Sequence, residues 1–159
     1  MEERKRKTRS DKGLIIPTER DAYCIAWIGE QWAVRFDHIQ KLLGKFPDPA
    51  KPFKNGQYPA DTTVRDQLAR WQTAGWIEYV RSLYAGNSWA WATRKGLRFV
   101  DLEEIYTARR PADTRLNHIF AVNHVRMFLE KKYTWISERR LRSEIPKNKK
   151  GISTGPIAD

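Results

Sequence analysis

The chain has 159 residues with 30 lysines and arginines against 19 aspartates and glutamates, which gives a formal net charge of +11. The hydrophobic fraction of 40% is too high for a disordered chain, and the apolar runs are far shorter than the ~20 residues of a membrane-spanning helix. A single cysteine, Cys24, excludes an internal disulfide framework and a cysteine-built zinc site. We therefore expect a cytoplasmic protein with one domain, or with one small domain and part of a second.

The strong positive charge indicates a polyanionic partner. Nucleic acid is the commonest such partner, because each neutralised phosphate releases a condensed counterion. An anionic membrane surface is the rival. No stretch of the chain clearly combines an apolar face with a basic one, as a membrane-surface helix does, so we expect no membrane partner.

Residues 1–13 form a basic, flexible arm without apolar periodicity. No apolar stretch follows its charges, so it is not expected to be a secretory signal. Two interpretations stay open: a solvated tail that aids solubility, or an arm that contacts DNA. The cations that would make such contacts are Arg4, Lys5, Arg6 and Lys7.

Two helices are predicted before residue 45. Thr18 is spaced to cap the first helix and Asp21 to close a capping box, and apolar residues then recur at helical spacing to about Gly29. The second helix spans 36–43 and is ended by Gly44. Helical periodicity therefore begins immediately after the arm.

A third helix follows a proline-rich loop at 45–60. It is predicted to start at Asp61, with Thr63 and Asp66 spaced as a capping box, and to end at Gly75. Its apolar face is expected to pack on the first two helices. The residues on this face are Val64, Leu68, Trp71 and Ala74.

A β-hairpin is predicted next, with strands at 76–81 and 88–92 and a turn at Gly86-Asn87. Strict alternation in the second strand places Trp89 and Trp91 on one side. Core packing is the default for these two tryptophans and for Trp27, Trp71 and Trp76, which also lie at core-facing positions by periodicity. A platform for stacking single-stranded bases is the alternative for Trp89 and Trp91 if their side of the hairpin is uncovered.

The last third of the chain is predicted to add a short helix from Thr93, a longer helix at 115–132 with a wide apolar stripe, and a strand at 135–137. The longer helix is a candidate homodimer contact. We accordingly divide the chain into the arm, a winged-helix domain at 14–102 and a helical or α+β extension at 103–159.

The fold class predicted is therefore α+β: a winged helix-turn-helix of three helices and a hairpin wing, followed by a C-terminal helix and strand. In such a fold the third helix enters the major groove of duplex DNA and the wing contacts the backbone. Many winged helices instead bind proteins, and this alternative stays open. The candidate DNA-contacting residues are Thr62, Thr63, Arg65, Gln67 and Arg70 on the third helix, Arg81 and Asn87 in the hairpin, and Arg94 and Lys95 after it.

The residues give no argument for an enzyme. His38, His118 and His124 are the three histidines, and a spacing of six does not place the last two on one face of a helix. We find no metal-ligand spacing, phosphate-cradling glycine loop or nucleophile elbow. We therefore predict no catalytic residue, no metal and no cofactor.

Five segments resemble a known family. They read TERDAYCIAWIGEQWAVRFDHIQKLL, TTVRDQLARWQTAGWIEYV, WAWATRKGLRFV, LNHIFAVNHVRMFLE and WISERRLRSE. Together they look like the replication-relaxation family of actinobacterial plasmids, integrative elements and phages. The resemblance covers about residues 17–145. The positions that match family motifs are Arg65, Leu68, 75–77, Thr93, Gly96, Leu116, His118 and Trp135.

The resemblance implies a winged helix that acts in plasmid or phage replication, DNA transfer or transcriptional control. In the family, a Pro-x-Ala-Asp-like segment leads into a nuclease-like α/β region, and residues 156–159 resemble the start of that segment. The Glu-x-Lys residues that complete a two-carboxylate magnesium site are absent. A truncated nuclease-like protein, with Asp159 as a metal ligand in its parent, is therefore a further alternative.

Overall fold

The computed structural model describes residues 15–50, 52–53 and 57–145, so the arm and residues 156–159 lie outside the described residues. The described part has an α+β fold with six α-helices and one three-stranded antiparallel sheet of order β1-β3-β2. The elements are α1 (Glu19–Gln31), β1 (Val34–Arg35), α2 (Phe36–Leu43), α3 (Asp61–Thr73), β2 (Ile77–Tyr84), β3 (Asn87–Ala92), α4 (Arg94–Phe99), a 3-10 turn (Asp113–Arg115), α5 (Leu116–Leu129) and α6 (Glu138–Glu144).

Helix α1 begins with the predicted capping box: Thr18 accepts from the Asp21 amide at 3.2 Å, and Asp21 accepts from the Thr18 amide at 3.0 Å. The helix runs two residues past Gly29, where the sequence predicted its end. A Cβ at Gly29 would lie 2.9 Å from Leu97, so this glycine lets α4 approach α1 closely. It serves packing, not helix termination.

The sequence did not predict strand β1. It has only two residues, Val34 and Arg35, which pair with Ala90 and Trp89 of β3. A two-residue strand is too short to show an alternating pattern, and its pairing with β3 is a tertiary contact. It adds a third strand to the predicted hairpin.

Helix α3 starts at Asp61 as predicted, but the predicted capping box at Thr63 is wrong. Ala60 is the N-cap residue and makes no side-chain cap, so Thr63 lies inside the first turn. Gln40 of α2 contacts this end of α3, since its amide donates to Asp61 at 3.1 Å. The apolar face is confirmed, because Val64, Leu68 and Trp71 are fully buried.

The hairpin is confirmed, but its turn lies one residue earlier than predicted. Ala85 and Gly86 occupy the turn with φ of 47° and 73°, and Asn87 already belongs to β3. Two successive positive φ values are typical of the tight turn whose twist matches that of antiparallel strands. Ala85 adopts a conformation that costs an L-residue energy, which the sequence pattern gave no reason to expect.

Both faces of the sheet are covered. Ala90 and Ala92 pack into the core formed with α1 to α4, whereas Trp89 and Trp91 point to the other side and contact Leu116 of α5. The five tryptophans predicted to be in the core are all buried. They are Trp27, Trp71, Trp76, Trp89 and Trp91.

Helix α5 buries only part of its predicted apolar stripe. Leu116 and Ile119 are buried against the sheet, but Val125 and Phe128 are 48% and 73% exposed. The C-terminal end is attached through Glu130, which accepts from the Trp27 indole of α1 at 3.0 Å. The predicted homodimer through this helix stays a prediction.

The strand predicted at 135–137 is wrong. Ser137 caps α6 by accepting from the Arg140 amide at 3.0 Å, so the basic run that follows is helical. The Ser137 hydroxyl also donates to Glu30 of α1 at 2.7 Å. Thr134, Trp135 and Ile136 have high β-propensity and therefore favoured the prediction of a strand. Only the contact with α1 identifies Ser137 as an N-cap residue.

The carboxylate of Asp21, fully buried, joins the start of α1 to α3. Its Oδ1 accepts from the Trp71 indole at 2.8 Å and from the Gln67 amide at 3.1 Å. The Arg70 guanidinium lies 3.1 Å from its Oδ2. Since a buried carboxylate is stable only when it is paired and hydrogen-bonded, these contacts determine how α3 lies on α1.

We expect Asp21→Ala to lower the free energy of unfolding by about 3–5 kcal/mol, because it leaves buried donors of Gln67 and Trp71 without an acceptor. Urea denaturation followed by far-UV circular dichroism measures the change. Asp66→Ala on the exposed side of α3 is the control, with an expected change within about 0.5 kcal/mol. Equal costs for the two variants would contradict the proposed role of Asp21.

Candidate nucleic-acid interface

The first two turns of α3 present an exposed polar side. Thr62, Thr63 and Asp66 are exposed, on the side away from the buried Val64. The Arg65 side chain is 49% exposed and lies 3.7 Å from the Asp61 carboxylate. A surface ion pair of this length contributes little stability, so the guanidinium can turn to an external anion at small cost.

Two of the predicted contact residues do not lie on this exposed side. Gln67 is 9% exposed, and it accepts from Arg20 at 2.6 Å while donating to Asp21. Arg70 is half-buried, is paired with Asp21 and donates to the Ile16 carbonyl. Helical periodicity placed both residues outside the apolar face, but α1 supplies a buried carboxylate there. Their positions correct the prediction of a continuous exposed face from Thr62 to Arg70.

The predicted contacts that follow α3 lie on other elements. Arg81 is exposed on β2, and the Asn87 amide donates to the Ala85 carbonyl across the hairpin turn at 3.3 Å. Arg94 donates to Glu103 at 2.5 Å. Hydrogen bonds from Arg98 and, second, from Arg94 lower the pKa of Glu103 to about 2. The positive charge of Arg94 is thus paired with the Glu103 carboxylate.

Lys95 is exposed near Gly75, at the C-terminal end of α3. Thirteen residues at about 1.5 Å each make α3 roughly 20 Å long. Thr62 and Arg65 therefore lie near one end of the helix and Lys95 near the other. The structure brings Thr62, Thr63 and Arg65 together and separates them from Arg94 and Lys95, while Arg4, Lys5, Arg6 and Lys7 lie outside the described residues.

The base-stacking alternative for Trp89 and Trp91 is wrong. These side chains are 2% and 3% exposed because α5 covers their side of the sheet. A stacking platform requires exposed rings beside cations.

The sequence did not predict the cationic cleft that lies beside Trp32. The cleft lies between the end of α1, the start of α5 and α6, and arginines surround its indole ring. None of these arginines belongs to the predicted interface. The arginines of the cleft lie between positions 109 and 142 of the sequence, so only the tertiary fold brings them together.

Cys24 and His38 are buried. Burial raises the pKa of the Cys24 thiol to about 12, which keeps it protonated. His38 is fully buried and stacks on Phe120 with ring centroids 4.9 Å apart. Neither nitrogen of its ring has a hydrogen-bond partner in the described residues. Within those residues, no three His, Cys, Asp or Glu side chains are grouped to hold a metal ion.

Burial lowers the pKa of His38 to about 4. Smaller effects come from charged neighbours: Asp37 raises the pKa, whereas Lys41, Arg35 and His124 lower it. The unfolded chain binds a proton to this imidazole near pH 6.5 but the folded chain does so only near pH 4. The contribution of neutral His38 to the free energy of unfolding is therefore complete above pH 6.5 and is lost as the pH is lowered from 6.5 to 4.

We expect the His38 contribution to this loss of unfolding free energy to be on the order of 3 kcal/mol. Urea denaturation of the wild type and His38→Gln at several pH values between 4 and 7.5 measures it. The variant should lose much less stability than the wild type over this range. His118→Gln, at an exposed histidine that contacts Glu138, is the control. Parallel pH profiles for the wild type and His38→Gln would contradict this assignment.

Comparison of the chain with protein-family models, curated proteins and solved structures found no match. The resemblance to the replication-relaxation family thus stays a prediction. In the part of the chain that the structure describes, no helix has both the length and the apolar character needed to cross a membrane. The function must be argued from the site itself.

Proposed function

We propose that the chain is a winged-helix protein that binds duplex DNA with the first half of α3 and with the hairpin. Three helices followed by a hairpin is the element order of a winged helix. Strand β1, between α1 and α2, extends the hairpin to three strands. This order supports the winged-helix part of the proposal.

The exposed start of α3 is the observation that carries the proposal. Thr62, Thr63 and Arg65 project from its first two turns, and the chain has a net charge of +11. A major groove about 12 Å wide admits an α-helix, and the N-terminal residues of a recognition helix come nearest to the base edges. Threonine hydroxyls bind bases or phosphates, and arginine binds guanine or phosphate through two parallel hydrogen bonds.

The tryptophans of the covered sheet offer no stacking platform to a single strand. Single-strand binding uses aromatic rings exposed beside cations, and the tryptophans of β3 are buried beneath α5. The exposed groups on α3 are hydroxyls and a guanidinium, which suit groove edges and phosphates. The biological setting that we propose is plasmid or phage replication, DNA transfer or transcriptional control, as the family resemblance implies.

We expect Arg65→Gln to weaken duplex binding several-fold and to reduce the slope of log affinity against log salt by about 1, because one phosphate or base contact is lost. Fluorescence anisotropy with a random-sequence labelled duplex and a matched single strand, at several salt concentrations, measures both quantities. Arg98→Gln is the matched control, since Arg98 is also an exposed helical arginine paired with a carboxylate.

Two outcomes would contradict the proposal. If the wild type does not bind the duplex at low salt, DNA is not the partner of the basic surface. If Arg65→Gln and Arg98→Gln bind equally well and with equal salt slopes, α3 is not the contact surface.

A further inference from the structure

The cleft beside Trp32 is formed by an unusual backbone turn at the end of α1. Trp32 has φ of 73° and ψ of −54°, and the Ala33 amide donates to the Gln31 carbonyl at 2.9 Å. This is a γ-turn with positive φ at a bulky residue, a strained conformation that is found where the surrounding structure enforces it. Asn123 of α5 holds the turn by donating to the Ala33 carbonyl at 2.9 Å.

Three guanidinium groups surround the indole ring of Trp32. Their carbon atoms lie 5.9 Å (Arg109), 5.8 Å (Arg115) and 5.3 Å (Arg139) from the ring centroid. The indole nitrogen donates to the Arg109 carbonyl at 3.0 Å and so attaches that segment to the cleft. Guanidinium groups packed against a ring keep their N–H donors at the edges, where an anion can accept them.

No carboxylate neutralises these three cations in the described ranges. Arg139 donates to the Gly29 carbonyl at 2.6 Å and to the Thr107 carbonyl, and Arg109 and Arg115 make no ion pair there. Burial lowers the pKa of Arg139 to about 10, which still leaves it charged at neutral pH. It is therefore a fixed charge in the wall of the cleft, whereas Arg109 and Arg115 are exposed.

The two acids that line the cleft are already paired with other groups. Glu138 pairs with His118 at 2.9 Å and with Arg142 at 2.6 Å. Glu30 pairs with Arg140 at 3.0 Å and accepts from two hydroxyl groups. Arg109, Arg115 and Arg139 consequently leave an excess of positive charge around Trp32, which favours an anion there.

We propose that the cleft beside Trp32 binds a phosphate group of the nucleic-acid backbone. Arginine is the side chain best suited to phosphate, because its planar fork donates two parallel hydrogen bonds to the oxygens. This inference rests on the proposed function. It adds to that function a second phosphate contact, made by arginines that lie after position 102. This contact shares no side chain with the exposed start of α3.

The test compares two double variants that each remove two exposed positive charges. Arg109→Gln/Arg115→Gln alters the cleft, and Lys131→Gln/Lys132→Gln alters the turn that follows the C-terminal end of α5. The first measurement is the salt dependence of duplex binding, followed by fluorescence anisotropy. The second is the thermal unfolding of each protein with pyrophosphate, compared with chloride at equal ionic strength. The effect of pyrophosphate is the shift from the unfolding temperature that each protein has without it.

The arginine variant is expected to reduce the slope of log affinity against log salt by about 1, because one phosphate contact is lost, and the lysine variant to change it much less. Pyrophosphate should raise the unfolding temperature of the wild type and the lysine variant but not that of the arginine variant. If the wild type binds the duplex and both variants have the same slope, the cleft proposal is overturned and the proposed function stands.

A third outcome is that the wild type binds no duplex, while pyrophosphate stabilises the wild type but not the arginine variant. The phosphate group then does not belong to nucleic acid, and the cleft is a site for a free phosphate anion. In that case the proposed function fails as well. If pyrophosphate has no effect beyond that of chloride and the slopes are equal, the cleft binds no phosphate group.

Discussion

The structure depends on one buried carboxylate. Asp21 caps the start of α1, and the same carboxylate accepts from Gln67 and Trp71 and pairs with Arg70, all on α3. Removal of a carboxylate from water is costly, so this arrangement is stable only while all of these donors are in place. The orientation of α3 on α1, and with it the direction in which Thr62 and Arg65 point, follows from that requirement.

A second constraint is that both faces of a small sheet are buried. Alanines of β3 face the core of α1 to α4, and its two tryptophans face α5. The chain after residue 102 is thereby packed onto the elements before it, with Glu130 and Ser137 both bonded to α1. This packing also creates the cationic cleft, because α5 and α6 bring Arg115 and Arg139 to the end of α1. The two proposed contact surfaces are thus products of the same packing.

Much of the fold could be predicted from local signals. Apolar periodicity located α2, α3 and the buried tryptophans, and the caps at Thr18 and Thr93 are both present. The errors arose where a tertiary contact decides the outcome. Strand β1 exists because β3 pairs with it, Gln67 and Arg70 turn inward because α1 offers them a carboxylate, and Ser137 caps a helix in a segment of strand-like composition. For the same reason no sequence pattern identified the arginines around Trp32.

The central claim is that the first half of α3 is the surface that contacts DNA. The most direct test is a titration of the uniformly ¹⁵N-labelled full chain with a short duplex at low salt, followed by two-dimensional NMR. The account predicts that the backbone amides of Thr62, Thr63 and Arg65 shift, while that of Lys131 in the turn that follows the C-terminal end of α5 does not. Shifts that spare the start of α3 and appear only elsewhere, or no shifts at all, would contradict it.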